Sequence, residues 1–262
     1  MSRRQIVDKI GTIAGPASQF DGIAFLYDEL MRGVPYSAWV DYVQRILARY
    51  ECHPSSVLDL CCGTGSVGLL FAEKGCRVSF VDISPAMVAL ARRKTEAKGI
   101  RADFHVQDVS SLRLGRRFDL VISLFDSLNY VLDSCALQES FQSVCEHVQP
   151  GGMFIFDMNT ELAFATGLFN QSNLGSRAPL LYEWRSTYDP AARICSIQMD
   201  FVHKRGGIDR QVSVTQYQRA YDKEEVEEML TTAGLQVVAV YNAYTFRKAT
   251  KRSDRVFFVA RR

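Results

Sequence analysis

The run Val57-Leu-Asp-Leu-Cys-Cys-Gly63-Thr-Gly65-Ser-Val-Gly68 constrains this chain more than any other segment. A short, mostly apolar stretch, Val57–Leu60, leads into G-x-G-x-x-G, and a helical pattern follows to about Lys74. Strand, glycine turn and helix in that order open a βαβ unit. A second strand, Arg77–Val81, ends at Asp82, 19 residues after Gly63. The glycines let polar ligand atoms approach the backbone, and the helix N-terminus offers free N–H groups. A carboxylate at Asp82 can accept hydrogen bonds from both hydroxyls of a ribose. The pattern alone indicates an adenosyl-type nucleotide and leaves a dinucleotide-dependent oxidoreductase as the competing reading.

The α/β alternation continues downstream. Ser84-Pro85 reads as N-cap and first turn of a helix to about Lys98, Ala102–Val106 as a third strand and Phe118–Leu124 as a fourth. Cys135–Val148 is a helix stopped by Pro150-Gly151-Gly152, and Met153–Phe156 is a fifth strand. The rhythm then changes. Leu180–Tyr188, Ile194–Lys204 and Arg210–Gln218 are β-type stretches separated by Asp189-Pro190 and Arg205-Gly206-Gly207, which predicts a three-stranded antiparallel insertion. A helix Asp222–Ala233, a stop at Gly234 and strands Leu235–Tyr241 and Val256–Ala260 complete the pattern, the last two pairing antiparallel. Upstream, Phe20–Tyr50 reads as two helices broken at Gly33-Val34-Pro35. The expected fold is α/β: a doubly wound, Rossmann-like seven-stranded sheet, last strand antiparallel, with an antiparallel β cap after strand five. Residues 1–50 form helices closing the cofactor site, 51–160 and 221–262 the core, and 161–220 an acceptor-binding cap.

Composition narrows the function classes. The 262 residues carry a net charge of +2, so a nucleic-acid footprint is not expected. No window approaches the ~20 apolar residues of a membrane span. The start MSRRQIVDKIGTIAG lacks an apolar signal core, which places the chain in the cytoplasm. Seven scattered cysteines without C-x-x-C fit a reducing compartment and no metal site. The four histidines show no pairing pattern. The cluster Arg247, Lys248, Lys251, Arg252 and Arg255 reads as a solvated loop before the last strand. Monomer and homodimer both remain open.

Two carboxylates separate the nucleotide readings. Asp59 stands four residues before the first glycine, where it would face a pyrophosphate unfavourably but welcome an ammonium or sulfonium. Asp108, in Gln107-Asp108-Val109, recurs after the third strand, where it can accept from an adenine amino group.

Asp59-x-Cys-Cys-Gly-Thr-Gly65, Asp82-Ile-Ser-Pro-Ala-Met87 and Gln107-Asp108-Val109 resemble the first motifs of class I S-adenosylmethionine-dependent methyltransferases. Tyr27-Asp-Glu-Leu-Met31, Pro35-Tyr36-x-x-Trp39, Leu124-Phe-Asp-Ser-Leu-Asn-Tyr130 and Phe154-Ile-Phe-Asp157-Met-Asn159 resemble a bacterial small-molecule subgroup that includes amino-sugar N-methyltransferases. The resemblance implies that Gly63 and Gly65 flank the methionine moiety and that Asp59 orients its ammonium. Asp82 would hold the ribose, Ile83 and Met87 would sandwich the adenine, and Asp108 with Val109 would read its edge. Leu124 would complete the cofactor contacts, and Tyr27 and Tyr36 would close over them. Where amino-sugar enzymes of the subgroup place a His, this chain has Tyr130.

The implied reaction is methyl transfer from S-adenosylmethionine to a small molecule, leaving S-adenosylhomocysteine and needing no metal. Tyr130 is the candidate catalytic residue, with Asp126 and Asp157 as further proton acceptors. Asn129, Asn159, Trp184 and Arg219 are the candidate acceptor contacts. A nucleic-acid or protein methyltransferase and an NAD-dependent oxidoreductase are the remaining alternatives.

Overall fold

The computed structural model describes residues 16–205 and 208–262. The N-terminal leader reading and the Gly206-Gly207 turn lie outside them. The N-terminal helices are α1 (Pro16–Asp21), α2 (Ala24–Leu30) and α3 (Tyr36–Arg49), with the break at Gly33-Val34-Pro35 as expected. Then come β1 (Ser56–Leu60), α4 (Ser66–Glu73), β2 (Arg77–Asp82), α5 (Pro85–Ala97), β3 (Asp103–Val106), β4 (Phe118–Ser123), α6 (Ser134–His147) and β5 (Val148–Asn159). After the short helix α7 (Glu161–Ala165) follow β6 (Gln171–Ser172), β7 (Leu180–Asp189), β8 (Ile194–Arg205) and β9 (Ile208–Arg219). The chain closes with α8 (Lys223–Thr232), β10 (Gln236–Asn242) and β11 (Arg255–Arg261). Among the described residues no helix is long and apolar enough to cross a membrane.

Seven strands form one sheet in the order β10-β11-β5-β4-β1-β2-β3, with β11 antiparallel to both its neighbours. The period-two alternation of β4 and β5 explains its burial on both faces. Val121, Phe154 and Phe156 join Phe141 of α6 and Leu230 of α8 on one face. Leu120, Ile122, Met153 and Ile155 meet Val43, Ile46 and Leu47 of α3 on the other. The Phe154, Phe156 and Phe258 rings stack at centroid distances of 4.6 and 4.9 Å. Strand order reverses between β1 and β4, which opens a crevice at their carboxyl ends.

Two expectations about strands need correction. The cap sheet has four strands, because β6 pairs with β7 through Gln171↔Trp184 and Ser172↔Glu183. A two-residue strand carries no periodicity to detect. Strand β5 begins at Val148, before Pro150, and a register irregularity between Phe118 and Leu120 accommodates the Pro-Gly-Gly segment.

The cap sheet is amphipathic. Trp184, Met199 and Val214 lie side by side across β7, β8 and β9 and face the body of the protein with Ile197 and Phe201. The alternate residues are polar: Arg185 bonds Asp200 at 2.7 Å, and Ser213 donates to the same carboxylate at 2.6 Å. Ile23 and Leu26 of the N-terminal segment pack against the apolar face. Sheet, N-terminal helices and cap thus enclose the crevice from three sides.

Candidate active site

A cavity of about 720 Å³ fills that crevice. Its floor is the glycine turn. Gly63 adopts φ +52°, lines the cavity and donates its N–H to Asp82 Oδ2 at 2.7 Å. The Ser84 N–H donates to Asp82 Oδ1 at 2.9 Å. Each carboxylate oxygen therefore keeps a further lone pair for a ligand. Burial raises the Asp82 pKa, and the two N–H donors work against that rise.

The remaining motif glycines serve packing. A Cβ at Gly68 would collide with the Phe80 ring and lie 2.6 Å from Asp59 Oδ2, and one at Gly65 would lie 2.8 Å from Ala91 Cβ. Asp59 is buried and accepts the Gly68 N–H at 2.8 Å, which ties β1 to the first turn of α4. Burial pushes its carboxyl up to about 7.

Beyond Asp82 the cavity is walled by Ile83, Met87 and Val109. Met87 is placed by the Ser84 cap, whose Oγ accepts the Met87 N–H at 3.1 Å. Asp108 lines the wall and accepts from Ser110 N and Oγ, both at 2.9 Å through Oδ1. Its second oxygen is left for a ligand.

The far end is built on a strained corner. Phe125 and Asp126 have φ of +72° and +48°, which for non-glycine residues costs about 1–3 kcal/mol each. Asp157 holds the corner by accepting Phe125 N–H at 2.6 Å and Asp126 N–H at 3.1 Å. Arg255 bridges the two carboxylates, at 2.6 Å from Asp126 and 2.5 Å from Asp157. Burial opposes the charge on Arg255, but the paired carboxylates outweigh it and raise its pKa. Burial likewise raises the Asp157 pKa, with Arg255 pulling it down. Gln218 of the cap donates to Asp126 at 2.7 Å. Tyr130 donates to Gln216 Oε1 at 2.8 Å and packs edge-on against Phe20 at 5.0 Å. Burial and the nearby Asp126 raise its pKa strongly, so its hydroxyl stays protonated near neutral pH.

The N-terminal helices are fastened over the opening. Asp21 accepts the Ser84 hydroxyl, and Asp28 binds Thr64 Oγ1 at 2.6 Å and Lys94 at 2.8 Å. Tyr27 lines the cavity, its Cε1 lying 4.0 Å from an ideal Cβ at Gly63.

Of the residues singled out in the sequence, the structure brings Tyr27, Gly63, Asp82, Ile83, Met87, Asp108, Val109, Asp126, Tyr130 and Trp184 together around the cavity. Eight others do not line it, among them Asp157, which lies beneath the Phe125–Asp126 corner. Asp59 and Gly65 sit behind the turn, and Leu124 is buried in the sheet core. Tyr36 faces a separate groove beside Ser66 and Lys94. Asn129 is fully buried, donating to the carbonyls of Asn159 at 3.1 Å and Arg219 at 2.8 Å; it joins β5 to the cap. Asn159 returns its N–H to Asn129 at 2.9 Å, and Arg219 reaches the Leu132 carbonyl at 3.1 Å and stacks over Tyr221.

Arg255 is the residue that sequence reasoning misplaced. It begins β11 and is largely buried, not part of a solvated loop. Its position opposite Asn159 in the β5–β11 register is what delivers it to Asp126 and Asp157. Phe20, Phe169, Met199 and Gln216 also line the cavity without any motif to mark them. Among the described residues no cluster of three or more metal-ligating side chains occurs.

Comparisons with known proteins agree with this geometry. Residues 57–152 match a family described as a methyltransferase domain. A protein of Geobacillus sp. (strain WCH70) designated a methyltransferase is 30% identical over 251 residues, covering 93% of this chain and 99% of that protein. A solved S-adenosylmethionine-dependent methyltransferase from Clostridium acetobutylicum ATCC 824 superposes with a TM-score of 0.83 at 28% identity, covering 92% and 98% of the two chains. A dTDP-3-amino-3,4,6-trideoxy-alpha-D-glucopyranose N,N-dimethyltransferase of Streptomyces venezuelae is 30% identical over 128 residues, 49% of this chain and 52% of that enzyme. By this full-length similarity and the Gly63–Asp82 turn at its centre, the chain belongs to the S-adenosylmethionine-dependent methyltransferases.

Proposed function

We propose that the chain methylates a small molecule held between the sheet, α1–α2 and the β cap. The observation that carries this reading is the enclosed cavity itself, with Asp82 and Asp108 at one end and the cap at the other. A Streptomyces relative that acts on an amino sugar supports the choice of a small acceptor. Seven free cysteines fit a reducing compartment, and we assign the protein to the cytoplasm.

When bound, the cofactor supplies a methyl group already activated on a sulfonium. Asp82 accepts the ribose hydroxyls with its free lone pairs, while Ile83, Met87 and Val109 enclose the adenine. Asp108 accepts from the adenine amino group. Gly63 and Tyr27 bound the methionine end. Asp59 acts indirectly, by holding the turn through Gly68.

On the acceptor side, the work is alignment and exclusion of water. Tyr130, protonated and fixed by Gln216, orients the acceptor through its hydroxyl oxygen and is not a base. Asp126 and Asp157 are both paired with Arg255, which removes them as proton acceptors. Residues 161–205 and 208–220 form the acceptor-binding cap, and residues 16–50 close the cofactor end. Calorimetry with S-adenosylhomocysteine and with NADH tests the reading. Binding of the first alone is expected; binding of NADH alone would overturn it.

A further inference from the structure

We infer that the methyl acceptor is an uncharged, flat, ring-bearing molecule, and not a nucleotide-linked sugar or other anion. The inference rests on the methyl-transfer reading above and names its substrate class.

Charge carries the first part. Among the described residues lining the cavity, Arg255 is the only lysine or arginine, and both Asp126 and Asp157 occupy its guanidinium. Asp82, Asp108, Asp126, Asp133 and Glu139 line the same cavity. With Asp82 and Asp108 given to the cofactor, a diphosphate on the acceptor side would meet the already paired Asp126 and no free cation among the described lining residues. Like charges brought together in a site strongly disfavour binding.

Surface chemistry carries the second part. The cap end is walled by Phe20, Phe169, Trp184 and Met199. Trp184 and Met199 stand opposite each other in the β7–β8 register, so they present one continuous apolar wall. Aromatic and thioether walls favour a planar, apolar guest. The Gln216 amide at this end is already engaged: it accepts from Tyr130 and donates to the Gln19 carbonyl at 3.4 Å.

In the reaction, the acceptor's lone pair forms the new bond to the methyl carbon. The electrons of the broken carbon–sulfur bond stay on sulfur, and the proton of an N–H or O–H acceptor leaves to solvent.

The test uses the whole protein saturated with S-adenosylhomocysteine. 7-Amino-4-methylcoumarin serves as the flat, neutral probe with a carbonyl, and dTDP-glucose as the anionic one. The coumarin is expected to bind about a hundredfold more tightly than dTDP-glucose. Met199→Glu, which puts a charge into the apolar wall, is expected to weaken the coumarin about tenfold, with S-adenosylhomocysteine affinity unchanged. If Met199→Glu does not fold, Trp184→Ala, which removes the ring from the same wall, is expected to weaken the coumarin about tenfold. Tighter binding of dTDP-glucose than of the coumarin would overturn the inference while leaving methyl transfer standing. So would coumarin affinity that is the same in the folded variant as in the wild type. Failure of the wild type to bind S-adenosylhomocysteine would overturn the methyl-transfer reading, and the inference with it.

Discussion

Arg255 and Asp126, 129 positions apart in sequence, meet at 2.6 Å beneath the corner that ends β4. The pair shows how the last strand helps to build a site whose motifs all lie much earlier. Removing the guanidinium leaves two buried carboxylates unpaired, which typically costs about 3–5 kcal/mol. Arg255→Met is therefore expected to lower unfolding free energy by that amount in urea titration. A loss below about 1 kcal/mol would show that the corner stands without the bridge.

Asp59 gives a pH signature. Its carboxyl titrates near 7 in the folded protein because it is buried, against about 4 in the unfolded chain. Between those values the folded state holds the extra proton, so this group's contribution to stability falls as pH rises through the window. Asp59→Asn stays neutral and can still accept the Gly68 N–H. The stability of wild type relative to this variant is expected to fall by about 2–3 kcal/mol from pH 5 to pH 8. A difference that stays flat with pH would contradict the buried, raised carboxyl.

Gly68 tests which glycines serve packing. Its missing Cβ is what lets Phe80 and Asp59 approach α4. Gly68→Ala is expected to destabilise by about 1–3 kcal/mol through overpacking, measured by thermal or urea denaturation. An alanine variant as stable as wild type would show that the turn relaxes freely.

Tyr130 separates orientation from proton abstraction. Tyr130→Phe removes the hydroxyl that Gln216 fixes while keeping the ring against Phe20. Turnover, followed as S-adenosylhomocysteine formation, is expected to drop about tenfold with an unchanged pH profile, because the hydroxyl is never ionised in the working range. A titration lost from the profile in this variant would make Tyr130 a base after all.

The parts of the site legible in the sequence are those carried by local spacing. Asp82 ends a strand, Gly63, Met87 and Asp108 each follow one by a short offset, and backbone geometry turns that spacing into position. Strand alternation likewise announced the cap, because β7, β8 and β9 each bury one face. Arg255 was illegible for the opposite reason. Its neighbours Lys251, Arg252 and Asp254 give it the look of a surface loop, and only the antiparallel register against Asn159 turns it inward. Asn129 and Asn159 looked like site residues because they follow β4 and end β5. They bond each other and the cap strand instead, a contact that depends on where β9 returns. Asp59 stood at the right offset but faces the back of the turn, since successive strand residues point to opposite sides.

The most direct measurement is calorimetric titration of S-adenosylhomocysteine into wild type and Asp82→Ala, each shown to be folded by circular dichroism. Asp82 is the group proposed to hold the ribose, and losing hydrogen bonds to a charged partner typically costs about 1.5–3 kcal/mol. The wild type is expected to bind, and the variant to bind about 10–150-fold more weakly. A folded Asp82→Ala that binds as tightly as wild type would contradict the placement of the cofactor at this turn.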